Sequence, residues 1–135
     1  MINPAPTSRI DPTLARGTLL EVIAATATRP GYVNITFPNT SYELHLLPGA
    51  PVSALVGKRI IGTIRAKARR VDKVQTGGRY VEPVYGRPRR VQGSVIATNE
   101  GAKTIVVDAG VPIECSLTDE RQKTGQFAVG DFVSF

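Results

Sequence analysis

Residues that can bind anions are concentrated in one segment of the chain. Residues 58–90 hold eleven of the 17 basic side chains but two of the 11 acidic ones, Asp72 and Glu82. The net charge of this segment is +9, whereas the remainder of the chain carries −3. Lys and Arg neutralise phosphates, so a positive charge this concentrated indicates a surface for nucleic acid rather than an evenly solvated exterior.

Tyrosines are interleaved with arginines near the end of this segment, in a run rich in Gly and Pro. Aromatic rings stack on the bases of single strands, and each stacked base contributes about 1 to 3 kcal/mol. We therefore predict single-stranded DNA or RNA as the partner, with an acidic protein surface as the alternative. Nothing identifies a reader of the 2′-hydroxyl, so the choice between DNA and RNA stays open. The predicted binding residues are Lys58, Arg59, Arg65, Lys67, Arg69, Arg70, Lys73, Arg79, Tyr80, Tyr85, Arg87, Arg89 and Arg90.

The sequence contains few residues suited to catalysis or to metal binding. His45 is the single histidine and Cys115 the single cysteine, so the ligand spacings of a zinc site are absent. Leucines flank His45, which favours a structural histidine, and Cys115 has no basic neighbour, which favours a buried, inert thiol. Residues 77–78 are a glycine pair followed by Arg79 rather than by a helix, a pattern typical of a turn and not of a phosphate loop. The sequence therefore predicts a non-enzymatic protein with no catalytic residue, no metal and no cofactor.

Length and composition indicate a globular chain. With 135 residues, 41% hydrophobic and 21% charged, it has room for one domain or two very small ones. No run approaches the roughly 20 apolar residues of a membrane span, and residues 1–12 lack the apolar stretch of a signal peptide. We therefore expect a cytoplasmic protein without a membrane partner. The oligomeric state stays open.

Short runs of alternating or β-branched residues predict strands. They cover residues 14–28, 32–37, 42–47 and 58–74, and turn residues bound the first three. In the last run the alternation places Arg65, Lys67 and Arg69 on one face of the strand. Residues 52–56, just before it, predict one helical turn.

The second half of the chain repeats motifs of the first. Gly17 corresponds to Gly93, residues 42–46 to 113–117, and residues 55–60 to 128–133, so that the three matched blocks are separated by nearly the same length of chain. A near-constant offset indicates duplication of one small β unit, although two meander sheets with similar loop lengths would also match.

The order of these elements predicts an all-β fold of two small OB-like Greek-key barrels in tandem, with a sandwich or one larger barrel as the alternative. Residues 1–13 would be a flexible lead, 14–75 the first barrel, 76–91 a basic linker or hairpin, and 92–135 a second, shorter barrel. The last strand of the second barrel is either missing from the chain or donated by the linker.

This tandem arrangement resembles two families. One is the broad OB-fold group, which binds single-stranded nucleic acid; topology and charge carry this resemblance. The other is the TOBE or molbindin-like domain, whose two-copy members bind molybdate or tungstate. The residues similar to it are Gly93-Ser-Val, Glu100-Gly-Ala-Lys-Thr-Ile-Val-Val, Val129-Gly-Asp, Val56-Gly-Lys-Arg and Thr63-Ile-Arg-Ala-Lys-Ala.

The Ser-Ala-Arg-Asn opening that the TOBE family uses at its oxyanion site is absent from both halves of this chain. Thr13-Leu-Ala-Arg-Gly17 and Arg89-Arg-Val-Gln-Gly93 stand in its place. We therefore transfer no oxyanion-binding residue to this chain. A small-oxyanion protein or an assembly scaffold remains the alternative function.

Overall fold

The regular structure of this chain is almost entirely β-strand. The computed structural model describes residues 11–49, 56–75 and 78–135, and the predicted all-β class is confirmed. The strands are β1 (Ala15–Ile23), β2 (Tyr32–Thr36), β3 (Glu43–Leu46), β4 (Arg59–Gly62), β5 (Ile64–Ala68), β6 (Asp72–Lys73), β7 (Tyr80–Glu82), β8 (Tyr85–Gly86), β9 (Arg90–Asn99), β10 (Thr104–Asp108), β11 (Pro112–Leu117) and β12 (Phe132–Ser134). A 3₁₀ helix, Thr124–Gln126, precedes β12. Most of the predicted lead, residues 1–10, and most of the predicted helical turn, residues 52–55, lie outside the described residues.

The strands form two mixed sheets. The first sheet has the order β4-β1-β2-β3-β8, and the second has the order β5-β11-β10-β9-β12-β6, with β7 also paired to β9. In each sheet four successive strands follow the Greek-key order, in which the fourth returns to lie beside the first. Among the residues that the structure describes, both sheets are open at their edges and neither closes into a barrel. The OB-like description of the two units stays a prediction.

The two Greek-key units have matching register. Gly17 of β1 pairs with β4 as Gly93 of β9 pairs with β12. A β-bulge follows in each unit, where Leu20 and Ile96 are the extra residues. The structure therefore aligns the first and last of the three matched blocks in the same way as the sequence does. A common origin of the two units stays a prediction.

The middle of the three matched blocks is displaced. Leu44 pairs with Ile35, and Ile113 pairs with Val107, so the structure matches Leu44 to Ile113, whereas the sequence match places Leu44 opposite Cys115. The connection between β2 and β3 is three residues longer than the connection between β10 and β11, which changes the offset. A shift of two residues keeps every side chain on the same face of the strand, and the hydrophobic pattern alone therefore could not detect it.

The segment between the two units contributes strands to both sheets. β4 lies at the edge of the first sheet and continues after Thr63 as β5, which runs parallel to β11 in the second sheet. In turn, β8, from the predicted linker, runs parallel to β3 in the first sheet. The long strand predicted over residues 58–74 is thus three strands, β4, β5 and β6. The predicted domain boundaries stay a prediction.

One hydrophobic core joins the sheets. Its fully buried members include Leu19 and Leu44 from the first sheet and Val95, Ile105 and Ile113 from the second. Because both sheets contribute to the same cluster, neither buries its apolar face alone.

Tyr42 connects the two sheets through its hydroxyl, which donates to the Ala109 carbonyl at 2.7 Å and accepts from the Val81 N–H at 3.0 Å. Burial raises the pKa of Tyr42. In Tyr42→Phe both backbone groups lose this partner, so we expect the free energy of unfolding to fall by about 1 to 3 kcal/mol. Urea denaturation measures the change, with Tyr85→Phe as the control, since Tyr85 is exposed. Equal losses in both variants would contradict the role of the Tyr42 hydroxyl.

Candidate nucleic-acid interface

A groove of about 1350 Å³ opens where β4 continues into β5. Strands β1 to β5 and the segment leading into β9 contribute its walls. Much of its lining is apolar and includes Val33, Ile35, Leu46, Ile60 and Ile64. These residues also pack in or against the hydrophobic core, so the core backs the groove. A concave, partly apolar surface of this kind is typical of a ligand site.

The charged side chains that line the groove are all basic: Arg29, Arg65, Lys67, Arg87 and Arg89. All five are exposed. Arg65 lies 3.6 Å from Glu114, whereas the other four have no carboxylate within 4 Å among the described residues. A concave surface with uncompensated charge of one sign focuses the electrostatic field and attracts polyanions.

Three elements hold these cations in place. Arg65 and Lys67 alternate along β5 with half-buried Ile64 and Ala66. The segment that carries Arg87 and Arg89 is anchored at both ends: the Arg89 N–H donates to the Glu82 carbonyl at 2.7 Å, and the Val84 carbonyl accepts from β3 at 2.7 Å. Arg29 belongs to the connection between β1 and β2.

Aromatic rings occupy one end of the groove. Tyr32 and His45 both line it, and their rings are stacked with centroids 4.7 Å apart. The rings of Tyr85 and His45 form a T-shaped contact, with centroids 5.2 Å apart. Tyr85 is 59% exposed, so its ring offers a free face for a base.

The structure brings part of the predicted binding set together. Arg65, Lys67, Arg87 and Arg89 line the groove, and Tyr85, which is not part of the lining, contacts the lining residue His45. The remaining predicted residues do not line the groove: Lys58, Arg59, Arg69, Arg70, Lys73, Arg79, Tyr80 and Arg90.

Several of these remaining residues are engaged elsewhere. Arg70 pairs with Asp72 at 2.8 Å, Lys73 with Asp131 at 3.3 Å, and Arg79 with Asp108 at 3.6 Å. The Tyr80 hydroxyl donates to Gln92 at 3.0 Å, and Arg90 donates to Ser134 at 3.4 Å. The three ion pairs compensate part of the positive charge outside the groove.

Arg29, Tyr32 and His45 line the groove but are outside the predicted set. All three precede the basic segment in the chain, so counting charges along the sequence could not find them. A turn signal was available, because Arg29 opens an Arg-Pro-Gly turn directly before β2 and Tyr32.

Cys115 lies on β11 and is fully buried. Burial raises the pKa of its thiol to about 12, so the nucleophilic thiolate is suppressed at neutral pH. In the described part of the chain, no group of three or more His, Cys, Asp or Glu side chains is arranged to hold a metal ion.

Comparisons with known proteins give no indication of the function of this chain. No family model, curated protein or solved structure matches this chain. Within the described ranges, no helix is long and apolar enough to cross a membrane.

Proposed function

We propose that this protein is a non-enzymatic, cytoplasmic binder of single-stranded nucleic acid, as in the OB-fold group it resembles, and that the groove is its binding surface. The observation that carries this proposal is the charge of the groove. Its lining includes five basic side chains and no carboxylate, four of the five have no ion-pair partner among the described residues, and aromatic rings stand at one end.

In this mechanism the cations neutralise phosphates while the apolar lining contacts sugars and bases. Arg29 and Arg87 would hold the phosphates next to the aromatic end, and Lys67 and Arg89 those further along. A base would stack on an exposed face of the Tyr85 ring, which also contacts His45. Phosphate contacts and stacking are both tolerant of sequence, which suits a protein that binds unpaired strands.

The salt dependence of binding tests this proposal. Fluorescence anisotropy of labelled single-stranded DNA and RNA 12-mers would be measured at roughly 50 and 200 mM salt. Four phosphate contacts predict about a 50-fold loss of affinity across this range. No binding at the lower salt concentration would contradict the proposal. Weak salt dependence together with binding of molybdate would favour the oxyanion alternative, and capture of an acidic protein without oligonucleotide binding would favour the protein partner.

Replacing Tyr85 separates stacking from charge. We expect Tyr85→Ala to weaken single-strand binding about tenfold, because it removes the exposed ring at the end of the groove. The matched control is Tyr80→Ala, since Tyr80 lies outside the groove and bonds to Gln92. Anisotropy titrations of both variants at one salt concentration provide the comparison. Unchanged affinity in Tyr85→Ala, or an equal loss in Tyr80→Ala, would contradict stacking at this position.

A further inference from the structure

Hydrogen-bond acceptors cluster beside the aromatic end of the groove. Asn34 pairs with Glu21 of β1 and with His45 of β3, and Glu43 lies two residues from His45. Alternation along the strands places these four residues on one face of the first sheet. The side-chain nitrogen of Asn34 donates to both carboxylates, at 3.3 Å to Glu21 and 2.8 Å to Glu43.

This cluster has more acceptors than donors. Neither Glu21 nor Glu43 has a basic nitrogen within 4 Å among the described residues. The Asn34 side chain is 1% exposed, and its Oδ1 is buried without a hydrogen-bond partner, as is Nε2 of His45. Glu21 is exposed and Glu43 is half-buried, so both carboxylates are accessible and keep acceptor positions open beyond the Asn34 amide. A ligand that presents N–H groups would donate to these open positions.

The position of the cluster indicates what that ligand is. Glu43 pairs directly with Tyr85 across β3 and β8, and His45 contacts the Tyr85 ring. A base stacked on Tyr85 would therefore present its edge towards Glu43. Cytosine, adenine and guanine carry exocyclic amines that donate to carboxylates. Uracil and thymine have no such amine, and the two carbonyl oxygens that flank their N3–H repel a carboxylate.

We propose that the Glu21–Asn34–Glu43 cluster selects bases with an exocyclic amine over uracil and thymine. This inference rests on the proposed function, since it specifies which bases occupy the stacking position. Glu43 would accept the hydrogen bond from the base amine, and Asn34 would act as a positioning residue that holds both carboxylates on the same side.

Two oligonucleotide pairs test this selection by fluorescence anisotropy in one buffer. Oligo(C) and oligo(U) 12-mers are both pyrimidine strands and differ in the exocyclic amine. We expect oligo(C) to bind about tenfold more tightly, as for a hydrogen bond to a charged acceptor. Alternating G/U and inosine/U strands differ in the 2-amino group alone, and the G/U strand should bind more tightly. Equal affinities within both pairs would overturn the inference but leave the proposed function in place, whereas no binding of any strand would overturn both.

Substitutions of the two carboxylates test whether the cluster is responsible for the base selection. Glu43→Gln removes the charge and leaves an amide that can accept from cytosine or donate to uracil, so the ratio of oligo(C) to oligo(U) affinity should fall to about one. Glu21→Gln should lower the ratio in the same direction. The control is Glu100→Gln, an exposed carboxylate at the turn after β9, which should keep the wild-type ratio. Thermal melting followed by circular dichroism shows whether each variant is folded. A folded Glu43→Gln variant that keeps the wild-type ratio would overturn the inference.

A cationic peptide is the competing ligand for these acceptors. Titration with a labelled nona-arginine peptide distinguishes it. Binding of this peptide that Glu43→Gln abolishes, together with equal affinity for oligo(C) and oligo(U), would overturn base selection and assign the cluster to guanidinium groups. We expect instead that the peptide binds no more tightly to wild type than to Glu43→Gln.

Discussion

Neutralising three groove cations together, as Lys67→Gln, Arg87→Gln and Arg89→Gln, should lower single-strand affinity roughly 100-fold at low salt. These three side chains have no carboxylate partner among the described residues, so their loss breaks no ion pair of the fold. The slope of log affinity against log salt should fall by about 2, because each phosphate contact on a single strand contributes about 0.7 to that slope. Anisotropy titrations at several salt concentrations measure both quantities.

A second triple variant controls for net charge. Arg70→Gln, Lys73→Gln and Arg121→Gln remove the same charge from side chains that lie outside the groove and face carboxylates. Exposed ion pairs of this kind contribute little to stability, so the control should stay folded. Its affinity should stay within about threefold of wild type, and its salt slope should change little. An equal loss of affinity in the two triple variants would mean that overall charge, and not the groove, attracts the strand.

The strand pattern of this chain was predictable because burial acts on residues close in sequence. Alternation over residues 32–37 and 42–47 marks β2 and β3 to within a residue or two, since each strand has one face in the core. No comparable sequence pattern marks Thr63 as the point where the chain passes from the first sheet to the second. After this residue β5 pairs with β11, which lies in the other half of the chain. Pairing between elements so far apart in sequence depends on the tertiary packing of both units, which no local pattern contains.

The concentration of positive charge was predictable from the sequence, whereas the groove and the full set of residues that line it were not. Local charge density identified Lys67, Arg87 and Arg89, which lie close in sequence and also close in the structure. The same density included Arg70 and Arg79, because the sequence does not show which cations have a carboxylate opposite them. His45 was predicted to be structural, and its stacking on Tyr32 fits that role while also placing it at the end of the groove. Whether these residues bind a strand stays a prediction.

Replacing Gly93 should destabilise the fold more than removing the buried hydroxyl of Tyr42 does. Gly93 is buried on β9, and a Cβ there would overlap the Asp108 carbonyl, lie 2.6 Å from its carbonyl carbon and lie 3.0 Å from the Ala109 Cα. These are backbone atoms of the neighbouring strand, which cannot rotate away as a side chain would. We expect Gly93→Ala to lower the free energy of unfolding by about 3 kcal/mol or more, as measured by urea denaturation.

Gly62→Ala is the matched control, because Gly62 also lies on a strand but has no atom within 4 Å of the added Cβ. Its stability should stay within about 1 kcal/mol of wild type. Gly17 occupies the corresponding position in the first unit, where a Cβ would lie 2.5 Å from the Thr36 carbonyl oxygen. Gly17→Ala should therefore destabilise the protein in the same way as Gly93→Ala. A mild effect in both glycine variants would contradict the paired register of β1 with β2 and of β9 with β10, on which the position of the groove depends.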